Sequence, residues 1–273
     1  MSFLYKNVLI LGATSGIGKN LAETILKRSS AKVVVTGRRE ERLKEFVNQH
    51  GGRSAYYAFD MAKLDGIEGN FNKIFSEHPD IDFVIHVAGI QRVALFHKPE
   101  ELDIDMLAHE VNLNYTSVLY TLKYALPHLL SHGGGSTKKN AAIGVVSSGL
   151  AITPFTISGN YAATKAAVHH LVYAIREQLN NTNVNVIEII PPLVNTELGD
   201  DAMSIGVPIN KLPTLPMEEF SDLVWKGLES GETQIAPGTA GDRVNAVEAV
   251  REPLFRRLDD FLKNADWWYK DRA

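Results

Sequence analysis

The chain has 273 residues, 45% hydrophobic and 22% charged, with 28 basic side chains against 32 acidic ones and no cysteine. Its ordinary apolar share and small net charge of −4 exclude a disordered polymer, and the slight acidic excess excludes a broad cationic face for a nucleic-acid backbone. Without a thiol there can be no disulfide, no zinc–thiolate or cysteine-ligated iron–sulfur centre, and no cysteine nucleophile.

The N-terminus lacks the apolar run of a secretory signal, and no stretch approaches the ~18 apolar residues of a membrane span. The sequence therefore predicts a cytoplasmic protein with neither membrane nor nucleic-acid partners. Apolar runs at 8–11, 32–36, 54–59, 83–86, 143–147, 184–190 and 233–236 read as buried strands. Their β-branched residues and lack of polar alternation suit a parallel sheet covered on both faces. Helical segments lie between them at 18–28, 40–50, 66–77, roughly 103–130, and 161–179. This alternation predicts an α/β fold: one doubly wound parallel sheet in a single domain spanning 1–273. The glycine-rich run 131–140 reads as a surface loop rather than a linker, since the alternation resumes after it. Residues 195–216 lack periodicity and read as a functional loop, and 241–273 form a C-terminal extension.

The first strand runs into Gly12-Ala13-Thr14-Ser15-Gly16-Ile17-Gly18 and then directly into a helix. Glycines at such a turn let backbone approach a pyrophosphate, which then meets the N–H groups and positive dipole end of the helix. At the end of the second strand Arg38 and Arg39 stand where an NAD site has a carboxylate. A guanidinium suits a 2′-phosphate; the bland alternative is a solvated helix start, although cations are not favoured at a helix N-terminus. Further on, Ser147 and Ser148 close the fifth strand, and Tyr161 and Lys165 share one face of the helix after it. An ammonium beside a phenol is expected to lower the phenol pKa from about 10, and a serine opposite would polarise a carbonyl.

These motifs resemble the short-chain dehydrogenase/reductase family over nearly the whole chain. The resemblance implies a Rossmann fold and identifies Ser148, thirteen residues before Tyr161, as the catalytic serine beside Tyr161 and Lys165. For the catalytic asparagine, the family spacing favours Asn112 over the nearby Asn114. It further implies cofactor contacts from Gly12, Thr14, Ser15, Gly16, Ile17, Gly18, Arg38, Arg39, Asp60, Met61, Ala88, Gly89, Tyr161, Lys165, Pro191, Val194 and Thr196. Two departures stand out: His86-Val87 replaces the usual Asn-Asn before Ala88-Gly89, and Pro192 replaces a glycine.

The implied activity is NADPH-dependent reduction of a ketone or aldehyde, with NADPH/NADP+ as cofactor and NADH/NAD+ as the weaker alternative. In that reading Tyr161 donates the proton and Asn112 holds a water that connects Lys165 to solvent. The alternatives are an NAD(P)+-dependent oxidation of a polyol or hydroxy acid, and a non-catalytic nucleotide sensor on the same fold. The expected partners are a small carbonyl or alcohol substrate and further copies of the chain, as a homodimer or homotetramer. Leu150, Phe155 and Ile157 are expected in the substrate pocket. His169 and His170 are adjacent on a helix and face different directions, so they read as surface or interface residues, with no metal site expected. The cluster Trp267-Trp268-Tyr269 reads as packing within the protomer or an oligomer.

Overall fold

The computed structural model describes residues 3–132, 137–199 and 211–263. Its frame is a seven-stranded sheet of order β3-β2-β1-β4-β5-β6-β7 in which each neighbouring pair is parallel. The strands are β1 (Asn7–Leu11), β2 (Lys32–Gly37), β3 (Ser54–Ala58), β4 (Phe83–His86), β5 (Ala141–Val146), β6 (Val184–Ile189) and β7 (Gln234–Ile235). Alternate residues of β1 serve different layers: Val8 and Ile10 enter one apolar cluster, Leu9 and Leu11 the other. A strand buried on both sides must be apolar throughout, which is why these runs show no polar alternation.

On the first face pack α1 (Gly16–Arg28), α2 (Glu40–His50) and α7 (Met217–Ser230), through Leu21, Ile25, Leu43, Phe46, Val224 and Trp225. On the second lie α3 (Ile67–Glu77), α5 (Ser117–Ser131) and α6 (Gly159–Gln178), through Phe71, Ile74, Leu122, Ala125, Val168 and Val172. The chain leaves β1 in both directions across the sheet, so the strand order reverses between β1 and β4. In such sheets the ligand crevice opens at that reversal, beyond the strand C-termini.

The helical segment expected over 103–130 is interrupted. Asp103 caps α4 (Ile104–Val111) by accepting from the Met106 N–H at 2.9 Å, and one π-helical turn, Asn112–Thr116, joins it to α5. Two helices were not assigned from the sequence pattern. One is α7; the other is α8 (Thr239–Lys263), which occupies much of the expected extension and carries Pro253 within it. The central part of the 195–216 loop, the glycines of the 131–140 run and the 266–270 aromatic cluster fall outside the described residues. No helix among the described residues is long and apolar enough to cross a membrane.

Candidate active site

The turn after β1 is built on glycine because nothing larger fits. Gly12 has φ +95°, and a Cβ there would stand 2.6 Å from the backbone of Ala88. At Gly18 a Cβ would meet the Gly12 carbonyl oxygen at 2.1 Å. Gly16, at φ +55°, opens α1, and Ser15 at the N-cap gives that helix no side-chain hydrogen bond. The helix start therefore keeps its donors for a ligand, in a cradle that a dinucleotide pyrophosphate fits. Ile17 packs inward on the core. Across the turn, a Cβ at Gly16 would touch the Thr196 methyl at 3.5 Å, so the segment after β6 borders the same cleft. Pro191 there accepts from the Gly149 N–H at 2.8 Å, and Val194 is buried, bridging to Leu215.

The two arginines after β2 behave differently. Arg39 donates from Nε and Nη2 to Thr14 Oγ1 at 3.1 and 2.9 Å, and from Nη2 to Ser15 Oγ at 2.6 Å. Its Nη1 reaches Glu197 at 2.7 Å, and Arg42 holds the other oxygen of that carboxylate at 2.7 Å. Hydrogen bonds from Arg39 and Arg42 hold the Glu197 carboxyl down at about 2. Arg38 is exposed and makes no hydrogen bond or ion pair among the described residues. Asp60 accepts from the Ala62 N–H at 3.0 Å, and Met61 beside it is buried.

At the other end of the cleft Ser148 follows β5, while Tyr161 and Lys165 stand in the first turns of α6. Both of those side chains are only 4% exposed. Ser148 Oγ accepts from the Leu150 N–H at 3.1 Å and is hydrogen-bonded to the Tyr161 phenol. Lys165 Nζ donates to the Val146 carbonyl at 2.8 Å and lies 5.8 Å from the Tyr161 ring centre. The phenol is not acidified as the sequence suggested. Burial pushes it up to about 12, against the Ser148 hydrogen bond and with help from Glu110, so it is a neutral proton donor at pH 7. Burial instead lowers Lys165 to about 8, opposed by Glu110.

The asparagine assignment is corrected. The Asn112 side chain is exposed and, among the described residues, accepts only from Thr116, whereas Asn114 is fully buried. Asn114 accepts from the Ile90 N–H at 2.9 Å and donates to the Ile90 carbonyl at 2.8 Å and to Thr164 at 3.1 Å. Gly89 is wedged against it: a Cβ there would lie 3.2 Å from Asn114 Oδ1 and 3.4 Å from Lys165 Nζ. Helical spacing carried the signal, because Leu107, Glu110, Asn114, Ser117 and Thr121 form one buried row and Asn112 faces away.

Three buried ionisable groups near the site were not foreseen. Glu110 accepts from the Arg92 N–H at 2.7 Å and from Asn160 at 2.6 Å. His169, expected at the surface or an interface, is completely buried within the protomer. His86 is buried between Thr121 at 3.0 Å and Ser117 at 3.2 Å, tying β4 to α5. Burial, with Lys165 nearby, pushes the His86 imidazole down to about 3. The unfolded chain binds the extra proton below about pH 6.5, so stability falls as pH drops from there toward about 3. A His86→Asn variant is expected to show a shallower loss of stability across that window in urea titrations. An unchanged pH slope would show that His86 does not set it.

Comparison with known proteins agrees with this geometry. The family model for short chain dehydrogenases matches residues 6–204. The uncharacterized oxidoreductase DltE of Bacillus subtilis is 31% identical over 261 residues, covering 95% of this chain and 98% of that one. A short chain dehydrogenase from Burkholderia cenocepacia, solved in complex with NADP, superposes with a TM-score of 0.74 at 25% identity, over 94% of this chain and 99% of that one. A second, from Sphingobium yanoikuyae in complex with NADPH, gives a TM-score of 0.74 at 22% identity, over 92% and 95% of the two chains. A parallel doubly wound sheet with a glycine cradle at its reversal defines a Rossmann-type α/β protein. More narrowly, the chain belongs to the short-chain dehydrogenase/reductase family.

Proposed function

We propose that this protein is an NADPH-dependent reductase of ketones or aldehydes. The observation that carries the reading is the buried Tyr161 phenol, neutral, hydrogen-bonded to Ser148, with Lys165 one helical turn behind it. When bound, the nicotinamide supplies the hydride. Gly12, Gly16 and Gly18 would hold the pyrophosphate, Asp60 and Met61 the adenine side, and Tyr161 and Lys165 the nicotinamide ribose. Ala88, Gly89, Pro191, Val194 and Thr196 border the cleft between them. The Ser148 hydroxyl orients the substrate carbonyl, and the Tyr161 hydroxyl releases its proton to the carbonyl oxygen. Asn114, rather than Asn112, supports the Lys165 end of the site and the water that links it to solvent. A ketone and aldehyde panel followed at the nicotinamide absorbance tests the activity. Reduction with NADPH is expected, and activity confined to alcohol oxidation with NAD+ would overturn the reading.

Arg39 supports the choice of NADPH, because its guanidinium already spans Thr14 and Ser15 at the nucleotide turn. Arg39→Ala is expected to lower kcat/KM for NADPH about tenfold or more relative to NADH, since charge-assisted bonds to a 2′-phosphate are worth roughly 1.5–3 kcal/mol. Arg38→Ala is measured beside it, because Arg38 is the other guanidinium expected at the 2′-phosphate, and a fall in its ratio would give both arginines that role. Glu197 now occupies Arg39 and Arg42, so Glu197→Gln should tighten NADPH and leave NADH unaffected. An unchanged ratio in Arg39→Ala would remove Arg39 from cofactor selection. The proposal extends to a homodimer or homotetramer, supported by Ile104, Val111 and Leu119, exposed apolar side chains on α4 and α5.

A further inference from the structure

Tyr161, Lys165, His169 and Tyr173 follow one another at four-residue intervals, so all four lie along one face of α6. The first two belong to the candidate site; the third has no part in it. His169 is fully buried with a carboxylate at each ring nitrogen: Nδ1 is 2.8 and 3.0 Å from the two oxygens of Glu188 on β6, and Nε2 is 3.4 Å from Glu248 on α8. A ring that meets acceptors on both sides donates from both nitrogens, which makes it an imidazolium. Glu188, itself fully buried, also accepts from the Ser147 hydroxyl at 2.6 Å. Ser147 immediately precedes Ser148, and its N–H is bonded to the Ile189 carbonyl at 3.0 Å. On the other side Glu248 takes hydrogen bonds from Tyr173 at 2.5 Å and Arg251 at 2.5 Å. One buried cation thus joins the strand end before the catalytic serine, the helix of the tyrosine and lysine, and the C-terminal helix.

We propose that His169, as the imidazolium, is a positioning residue of the reductase centre: it clamps the Ser147–Ser148 strand end and α8 onto the helix carrying Tyr161 and Lys165. The inference rests on the proposed reductase activity for its catalytic consequence, but not for the clamp itself. Without the cation, Glu188 keeps the Ser147 hydroxyl and Glu248 keeps Tyr173 and Arg251, but the groups these carboxylates hold lose their common anchor. The charged and titratable neighbours come from every packed element: His170, Tyr173 and Arg176 on α6, Glu188 on β6, and Glu248, Arg251 and Glu252 on α8. Burial pushes His169 down, but Glu188 and then Glu248 more than reverse it, so its pKa is raised. The clamp is therefore fully formed below about pH 6.5 and is released as pH rises through the raised value.

The test uses the full chain, with His169→Gln and, as a second variant on α8, Glu248→Gln. Steady-state reduction of a ketone with NADPH is measured beside amide hydrogen exchange over 239–251 and 147–149. For His169→Gln a fall in kcat of about ten- to a hundredfold is expected, since small misplacements of a reacting group cost that much. KM for NADPH should stay within about twofold, because the nucleotide cradle is untouched. Exchange in both segments should quicken, and Glu248→Gln should quicken it mainly in α8. Wild-type kcat in a His169→Gln variant that merely melts earlier would overturn the proposal and leave the pair a packing feature. If His169→Gln does not fold, unaltered exchange and kcat in Glu248→Gln overturn it equally. Should the wild-type chain reduce no ketone, the proposed function fails, while the exchange rates still decide the clamp.

Discussion

Tyr161→Phe is expected to reduce carbonyl turnover by about 10²–10⁴-fold, the usual contribution of a positioned general acid. The substitution removes one oxygen and leaves the buried ring to pack as before. Only the proton and the Ser148 hydrogen bond are lost. Cofactor binding, read by nicotinamide fluorescence, should be nearly unchanged, because Lys165 and the glycine turn remain. The loss should therefore appear in kcat rather than in KM for NADPH. Near-normal turnover would remove Tyr161 from the mechanism. The neighbouring charges add a pH signature in the wild type. With the phenol held at about 12 and Lys165 lowered to about 8, the ammonium is lost first on raising the pH. A fall in turnover beginning near pH 8 would report Lys165, well before the phenol itself ionises. The limb is read in the wild type, which keeps both titrating groups and the Ser148 hydrogen bond.

The parts of this protein that local chemistry dictates were legible in its sequence. A strand buried on both faces has to be continuously apolar, and a turn where a Cβ would stand 2.6 Å from the Ala88 backbone has to be glycine, so β1 and Gly12 announce themselves. The Tyr161–Lys165 spacing is equally local, being one helical turn. What escaped was set by partners distant in the chain. His169 looked like half of an ordinary histidine pair until β6 brought Glu188 and α8 brought Glu248 to its two nitrogens. His86 looked like a lost asparagine, yet it bridges to Ser117 and Thr121 on a helix some thirty residues later. The sign of the Tyr161 shift failed for a related reason. Sequence spacing displays the nearby ammonium but not the depth of burial, and here burial is the larger effect. In α8, Pro253 and the scattered charges obscured a buried row of Val244, Glu248 and Asp259; Val244 packs with Ile152 and Ile190, and Glu248 meets His169 and Tyr173 on α6.

The asparagine pair offers the sharpest comparison between spacing and structure. Asn114→Ala is expected to lower kcat by at least about tenfold and stability by about 1–3 kcal/mol, the cost of leaving buried partners unsatisfied. Its amide satisfies both the N–H and the carbonyl of Ile90, and so fixes the strand-end backbone next to Gly89. That backbone passes against Lys165 Nζ, so a slackened Ile90 would let the lysine drift from its bond to Val146. Asn112→Ala, two residues away on the exposed side of the π turn, loses only a weak contact at 3.4 Å from Thr116. It should leave both kcat and the urea midpoint within error of wild type. Parallel measurements on the two variants therefore separate the assignments cleanly. A severe defect in Asn112→Ala beside a mild one in Asn114→Ala would restore the position that family spacing favoured. It would also mean that the π turn places these side chains otherwise in the working protein.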